Sequence, residues 1–270
     1  MDKYIKHTFH YYADGDIILQ VKDTYFLVHK NLLSLASEFF KSLFACATPS
    51  SDKIIKVIED SSKESSIPIL EIIDEEPDSI EDILSFIYPN TILYIDWNNV
   101  DIFLRLSDKF IIRKLLNSCE VFLLEHFTEK VLGSFILAEK YLLPTIFKES
   151  SKLIIDDIIK YECDEDFKLI LKRTQERLVI SHHIYYLELV KFNKHVREDW
   201  YKYLYDDITN EISTFPIPKP SFTRNKIFEL SHESPDKEFI KNFKQYLGSF
   251  EKLINAPANT DYYYPFIELV

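Results

Sequence analysis

The chain has 270 residues, 32 basic and 44 acidic, for a net charge of -12, with no visible basic patch to override a field that repels phosphate backbones. Only three glycines occur, Gly15, Gly133 and Gly248, too scattered for a phosphate-cradling loop and too few for many hinges. Cys46, Cys119 and Cys163 are odd in number and far apart, the opening MDKYIKHTFHYY lacks a signal-peptide core, and the longest clean apolar run, Val131 to Ala138, falls well short of a bilayer span of ~18 residues.

These features describe a soluble intracellular protein, cytoplasmic and/or nuclear, with reduced thiols, and the length suits two modest domains. The first element is a β-hairpin: Asp16 to Val21 and Tyr25 to His29 are apolar runs joined by the polar Lys22-Asp23-Thr24. A short helix over Asn31 to Leu35 follows. Ser37 then caps a second helix, on which Phe39/Leu43 and Phe40/Phe44 form pairs one turn apart. Residues 45–66 are polar and Ser-rich and read as a long loop. Ile67 to Ile73 reads as an edge strand, because Pro68 has no N–H to donate.

Asp74 to Asp78, with Pro77, is suited to the positive end of a helix, and Ile80, Ile83, Leu84 and Ile87 give that helix one apolar stripe. A short strand is expected over Ile92 to Ile95. From residue 100 the pattern is helical and repeats. LSDKFIIRKLLNSCEVFLL from Leu106 aligns with LAEKYLLPTIFKESSKLII from Leu137, placing Phe110 on Tyr141, Leu115 on Ile146 and Leu123 on Ile154. Two helical hairpins of one period are expected, each with an apolar face that needs a neighbour. Helices continue to about residue 205, with Val196, Trp200, Tyr203 and Leu204 on one stripe. Residues 215–220 run extended, and a last amphipathic segment spans Phe239 to Leu253.

Several ordered motifs resemble the BTB/POZ domain: Asp16-Ile17-Ile18-Leu19, Phe26-Leu27-Val28-His29-Lys30, Leu33, Ser37-Glu38-Phe39-Phe40, Ile83 to Tyr88, Leu106 to Phe110 and Cys119 to Leu123. The resemblance implies an α+β fold, a small mixed sheet covered by helical hairpins, over residues 16–126 after an N-terminal segment 1–15. Residues 127–205 resemble the helical BACK-type (three-box) extension of such proteins up to about Ile159. Beyond about residue 165 no resemblance is found, and residues 206–270 are expected to form a Pro-containing linker and a helical tail of unknown role.

In the family, the first-strand Asp and the basic residue after the His lie in a charged pocket near a dimer seam. The matching residues are Asp16 and Lys30, with Leu32 and Leu33 beside them. The family implies a self-associating interaction module, a homodimer, and in some members an adaptor that joins a client protein to a cullin scaffold of a ubiquitin ligase. Those members carry a hydrophobic-x-Glu triplet after the second helix; Val57-Ile58-Glu59 is a displaced candidate, or an ordinary loop segment. The short stretch before Asp16 lacks the amphipathic helix that many family dimers exchange. Three unpaired cysteines and three glycines exclude appended zinc fingers and kelch blades.

Catalytic chemistry has little footing, and no cofactor, metal, nucleic acid, membrane or small-molecule substrate is expected. His29 reads as a capping or hydrogen-bonding group. Asp164-Glu165-Asp166 beside Cys163 lacks the alternating ligands of a calcium loop and reads as a solvated helix start. His182 and His183 point about 100° apart on a helix and read as surface or packing residues. The aromatic and basic mix from Lys191 to Tyr201 reads as a packing stripe. Two short segments, Pro216 to Pro220 and Glu268-Leu269-Val270, have the chemistry of partner-docking peptides.

Overall fold

The structure, a computed structural model, describes residues 5–46, 67–89, 94–198, 219 and 266–269. The chain divides into two compact units, Met1–Glu125 and His126–Val270. The triplet at Val57 and Glu59, most of the Ser-rich loop, the Pro segment apart from Lys219, and the stretch from Phe239 to Leu253 lie outside the described residues.

The first unit is built on a four-stranded mixed sheet of order β1-β3-β2-β4. Strands β2 (Ile17–Val21) and β3 (Thr24–Val28) form the antiparallel hairpin read from the sequence, in register from Ile17 opposite Val28 to Val21 opposite Thr24. The connection is only Lys22-Asp23; Thr24 already pairs, and Lys22 takes the left-handed φ of 51° that a two-residue turn demands. Alternation along β2 sends Ile17, Leu19 and Val21 inward.

Two strand readings need correction. The strand expected over Ile67 to Ile73 shortens to β4 (Ile69–Glu71), parallel to β2, and ends before Asp74, which turns left-handed at φ 63°. Pro68 still contributes its carbonyl, which accepts from Ile18 N–H at 3.0 Å. Of the strand expected at Ile92 to Ile95, the first half lies outside the described residues, and Tyr94 and Ile95 are not in a strand.

A third strand was not anticipated. Residues 5–11 form β1 (Ile5–Tyr11), parallel to β3 with an irregularity between Lys6 and Tyr11. Phe9 is exposed, and the one fully buried residue of β1 is His10. The His10 ring meets Ser85 Oγ at 3.1 Å through Nε2 and Tyr12 OH at 3.3 Å through Nδ1. His7 stacks on Phe26 at 4.5 Å between ring centroids. Imidazoles dock this strand where a hydrophobicity pattern looks for aliphatic side chains, and burial lowers the pKa of His10.

The helices up to residue 126 are α1 (Lys30–Ala36), α2 (Glu38–Cys46), α3 (Pro77–Ile87), α4 (Val100–Lys109) and α5 (Arg113–His126). Ser37 caps α2 as expected, accepting from Phe40 N–H at 3.1 Å while donating to the Phe110 carbonyl at 2.5 Å. Pro77 stands in the first turn of α3, which buries Ile80, Ile83 and Leu84. Phe40 stacks nearly parallel on Phe110 at 5.5 Å, and both rings are in the core.

Glu75 is a buried carboxylate beside α4. Both oxygens are held by the Arg105 guanidinium at 2.8 and 3.0 Å, and Lys109 adds a contact at 2.7 Å. Burial alone would raise its pKa, but these hydrogen bonds and charges outweigh burial and hold it below the ordinary carboxylate value.

The second unit contains α6 (Val131–Lys140), α7 (Pro144–Asp156), α8 (Ile158–Glu162), a 3-10 turn at Glu165–Leu169, and α9 (Lys172–Glu198). Asp164 caps that turn by accepting from Asp166 N–H at 3.0 Å, a helix-start role like the one read from the sequence. The stripe extrapolated to Trp200 and Leu204 lies outside the described residues beyond Val196.

The repeat is visible in the backbone. Ile111 ends α4 at φ 51° and Leu142 ends α6 at φ 56°. In both turns the following amide reaches back five residues, Ile112 to Ser107 and Leu143 to Ala138, each at 2.9 Å. That is a Schellman-type helix end, formed here without glycine.

Candidate interaction face

Helix α1 has seven residues and three leucines, and a helix turning 100° per residue cannot send all three to one side. Leu33 goes to the core and is fully buried. The expectation that it lines a partner contact is therefore corrected: its side chain is consumed by its own unit. Leu32 is half-buried, and Leu35, one turn on, is 85% exposed.

Asp16 and Lys30 do come together, but through the backbone. The Lys30 N–H donates to Asp16 Oδ1 at 2.7 Å, so the carboxylate holds the start of α1 against the strand that begins at Ile17. Gly15 just before it is required by space, since a Cβ there would come within 2.8 Å of Leu27 Cγ.

Leu32 and Leu35 form one wall of a cleft of about 390 Å³. The end of α3 contributes Phe86 and Ile87, and the α4–α5 turn contributes Ile111 and Ile112. Ile111 is 47% exposed although it is β-branched and left-handed, a combination that costs roughly 1 kcal/mol in backbone strain. Around this apolar floor stand Glu38, Arg113 and Lys114. Glu38 lies in the first turn of α2, where the helix dipole favours an acid. Arg113 and Lys114 open α5, where the same dipole disfavours cations, so helix stability does not explain them.

Reading from the sequence missed Leu35, Phe86, Ile111 and the two cations. The signal available for Leu35 was the leucine count on so short a helix. Nothing local marks Ile111, because its exposure depends on the turn it adopts.

A second polar cluster lies at His29. Its backbone N–H donates to Tyr88 OH at 3.0 Å, its Nδ1 meets the same hydroxyl at 2.9 Å, and its Nε2 is 3.3 Å from Asp14 Oδ1. Carboxylate, imidazole and hydroxyl in line resemble a nucleophile relay, but the chemistry does not fit. Burial pushes the Tyr88 phenol up to about 12, so it stays protonated, and its ring is packed flat on Tyr12 at 4.6 Å. The cluster fastens the hairpin to the end of α3. Among the described residues no group of three His, Cys, Asp or Glu side chains is placed to hold a metal, and no helix is long and apolar enough to cross a membrane. Cys119 is buried, with its thiol pushed up to about 12, which leaves it unreactive.

The family model for the BTB/POZ domain matches residues 6–127. No curated protein matches the chain. Among solved structures, the BTB domain of zebrafish PATZ1 is 22% identical over 41% of this chain and 76% of that one, with a TM-score of 0.31.

Proposed function

We propose that residues 6–127, which are a BTB/POZ domain, pair with a second copy of the chain through the cleft face, and that the protein works by binding other proteins without catalysing a reaction. A BTB domain indicates a protein–protein interaction module. The observation that carries self-association is Leu35, an aliphatic side chain 85% exposed beside Leu32 and the strained Ile111. An exposed apolar floor in a soluble protein is stabilised by being covered. The rim, with Glu38 on one helix and Arg113 and Lys114 on another, suits a two-fold axis that sets each acid against the copy's bases.

Light scattering on the purified chain should return about twice its 32.1 kDa mass. Leu35→Asp should return the monomer mass with the fold intact by circular dichroism; a monomer before substitution rejects the reading.

The finer reading is a substrate adaptor of a cullin-type ubiquitin ligase in an intracellular compartment, with residues 127–205 as the BACK-like extension. The family resemblance and the helices that follow the domain support it. A pull-down with a cullin N-terminal region tests it, with Val57→Ala/Glu59→Ala as the variant expected to lose binding. Absence of binding leaves a scaffold with no ubiquitin role.

A further inference from the structure

In the second unit, the segment Phe266–Leu269 lies against the packed helices α7 and α9. Ile267 is buried. Its N–H donates to Ser151 Oγ at 3.2 Å, and that hydroxyl, which donates to the Lys148 carbonyl at 2.7 Å, also lies 3.5 Å from the Ile267 carbonyl. A side chain of α7 thus accepts the backbone N–H of the buried residue of the segment. One residue on, the Glu268 carbonyl accepts from Arg177 Nη2 of α9 at 2.6 Å. One residue before, the Phe266 ring lies under two ammonium groups, Lys148 at 4.5 Å and Lys152 at 5.8 Å from its centroid.

The division of labour is clear. Backbone contacts from Ser151 and Arg177 hold any sequence. A buried site takes an aliphatic side chain, a cationic shelf takes an aromatic one, and the exposed Glu268 is not enclosed. Such a site reads an aromatic–aliphatic pair and ignores the next residue.

We propose that the α7–α9 groove is a peptide-docking site, held in cis by residues 266–269 and able to exchange them for a partner protein's segment with an aromatic residue followed by an aliphatic one. The resident segment both shows the ligand chemistry and blocks the site until a competitor displaces it. The groove is independent of the BTB pairing face, so Leu35→Asp leaves peptide binding unchanged.

The probe is a fluorescein-labelled hexapeptide of residues 264–269, Tyr-Pro-Phe-Ile-Glu-Leu, read by anisotropy against the full chain. In the chain carrying Phe266→Ala and Ile267→Asp the peptide should bind at least about tenfold more tightly than in the unsubstituted chain, because a tethered competitor acts at roughly millimolar effective concentration or below. Adding Arg177→Ala should weaken binding about ten- to a hundredfold, the range for losing a hydrogen bond from a charged donor. In the peptide, Ile267→Asp should abolish binding and Glu268→Lys should leave it unchanged. Equal binding to substituted and unsubstituted chains, or equal binding of the Ile267→Asp peptide, overturns the proposal. A measurement on the unsubstituted chain covers the case in which the double variant misfolds: excess peptide should speed hydrogen exchange at the Ile267 amide, and an unchanged rate overturns the proposal equally.

Discussion

The hairpins α4–α5 and α6–α7 share a period, a turn geometry and even a decoration, yet they are used differently. At matching positions Lys109 lies over the Phe110 ring and Lys140 over the Tyr141 ring. Leu115 and Ile146, and Leu123 and Ile154, are all fully buried. Beyond this frame they diverge. On α5 one stripe is buried, Leu115, Cys119 and Leu123, and Val121 and Leu124 stay exposed. On α7 a broader surface is buried, with Ile155 enclosed where α5 has the exposed Leu124.

The turns diverge too. Ile111 sits beside Leu32 and Leu35 in the cleft, whereas Leu142 is 70% exposed. An exposed aliphatic at a left-handed helix end is therefore a property of the repeat. An apolar cleft forms at Ile111 because other elements bring more apolar side chains beside it.

The first way to break the comparison is through what bolts α4 in place. Arg105 and Lys109 clasp Glu75, while α6 has Ile136 and Lys140 at the matching positions. Glu75→Gln should cost about 2–3 kcal/mol in urea unfolding at pH 7, less than the ~3–5 kcal/mol of a fully buried pair because both cations are partly exposed. Since folding lowers the Glu75 pKa, its contribution is complete above the ordinary value of 4.5 and fades as pH falls below it. The gap between parent and variant should narrow toward pH 3; a constant gap would mean that the charge is not responsible.

Next in size is Ser37, whose hydroxyl ties the first turn to α2 through the Phe110 carbonyl while capping that helix. Ser37→Ala should lower stability by about 1–2 kcal/mol, the sum expected for a lost cap and an unsatisfied buried carbonyl, measurable as a lower urea midpoint.

The smallest stability effect belongs to the turn residues and separates the two hairpins most sharply. Ile111→Gly and Leu142→Gly should each shift stability by less than about 1 kcal/mol, relief of left-handed strain being offset by glycine's freedom in the unfolded chain. Only Ile111→Gly should weaken self-association in a dilution series by sedimentation. Equal effects at both sites would remove the distinction drawn between them.

The pairing of β2 with β3, the cap at Ser37, the Pro-led α3 and the repeat of helical hairpins were all legible, because each is written in neighbouring residues: alternation, a capping hydroxyl, a stripe at helical spacing. β1 was not, since its buried contact is a histidine and its phenylalanine faces out. Leu33 was misjudged for the same reason in reverse. A leucine in a motif looks like its neighbours until the helix phase decides which side it faces.

The amino-acid order by itself determined the β2–β3 hairpin, most of the helices, the period of the repeat and the match of residues 6–127 to the BTB/POZ family model, because local spacing sets which face of each helix or strand is apolar. Only the tertiary structure decided that Leu35 and Ile111 share a cleft, that Asp16 serves the Lys30 backbone, and that Ile267 is gripped by Ser151 across 116 positions of chain. Such contacts join residues that share no local pattern, and they follow from how the apolar faces pack.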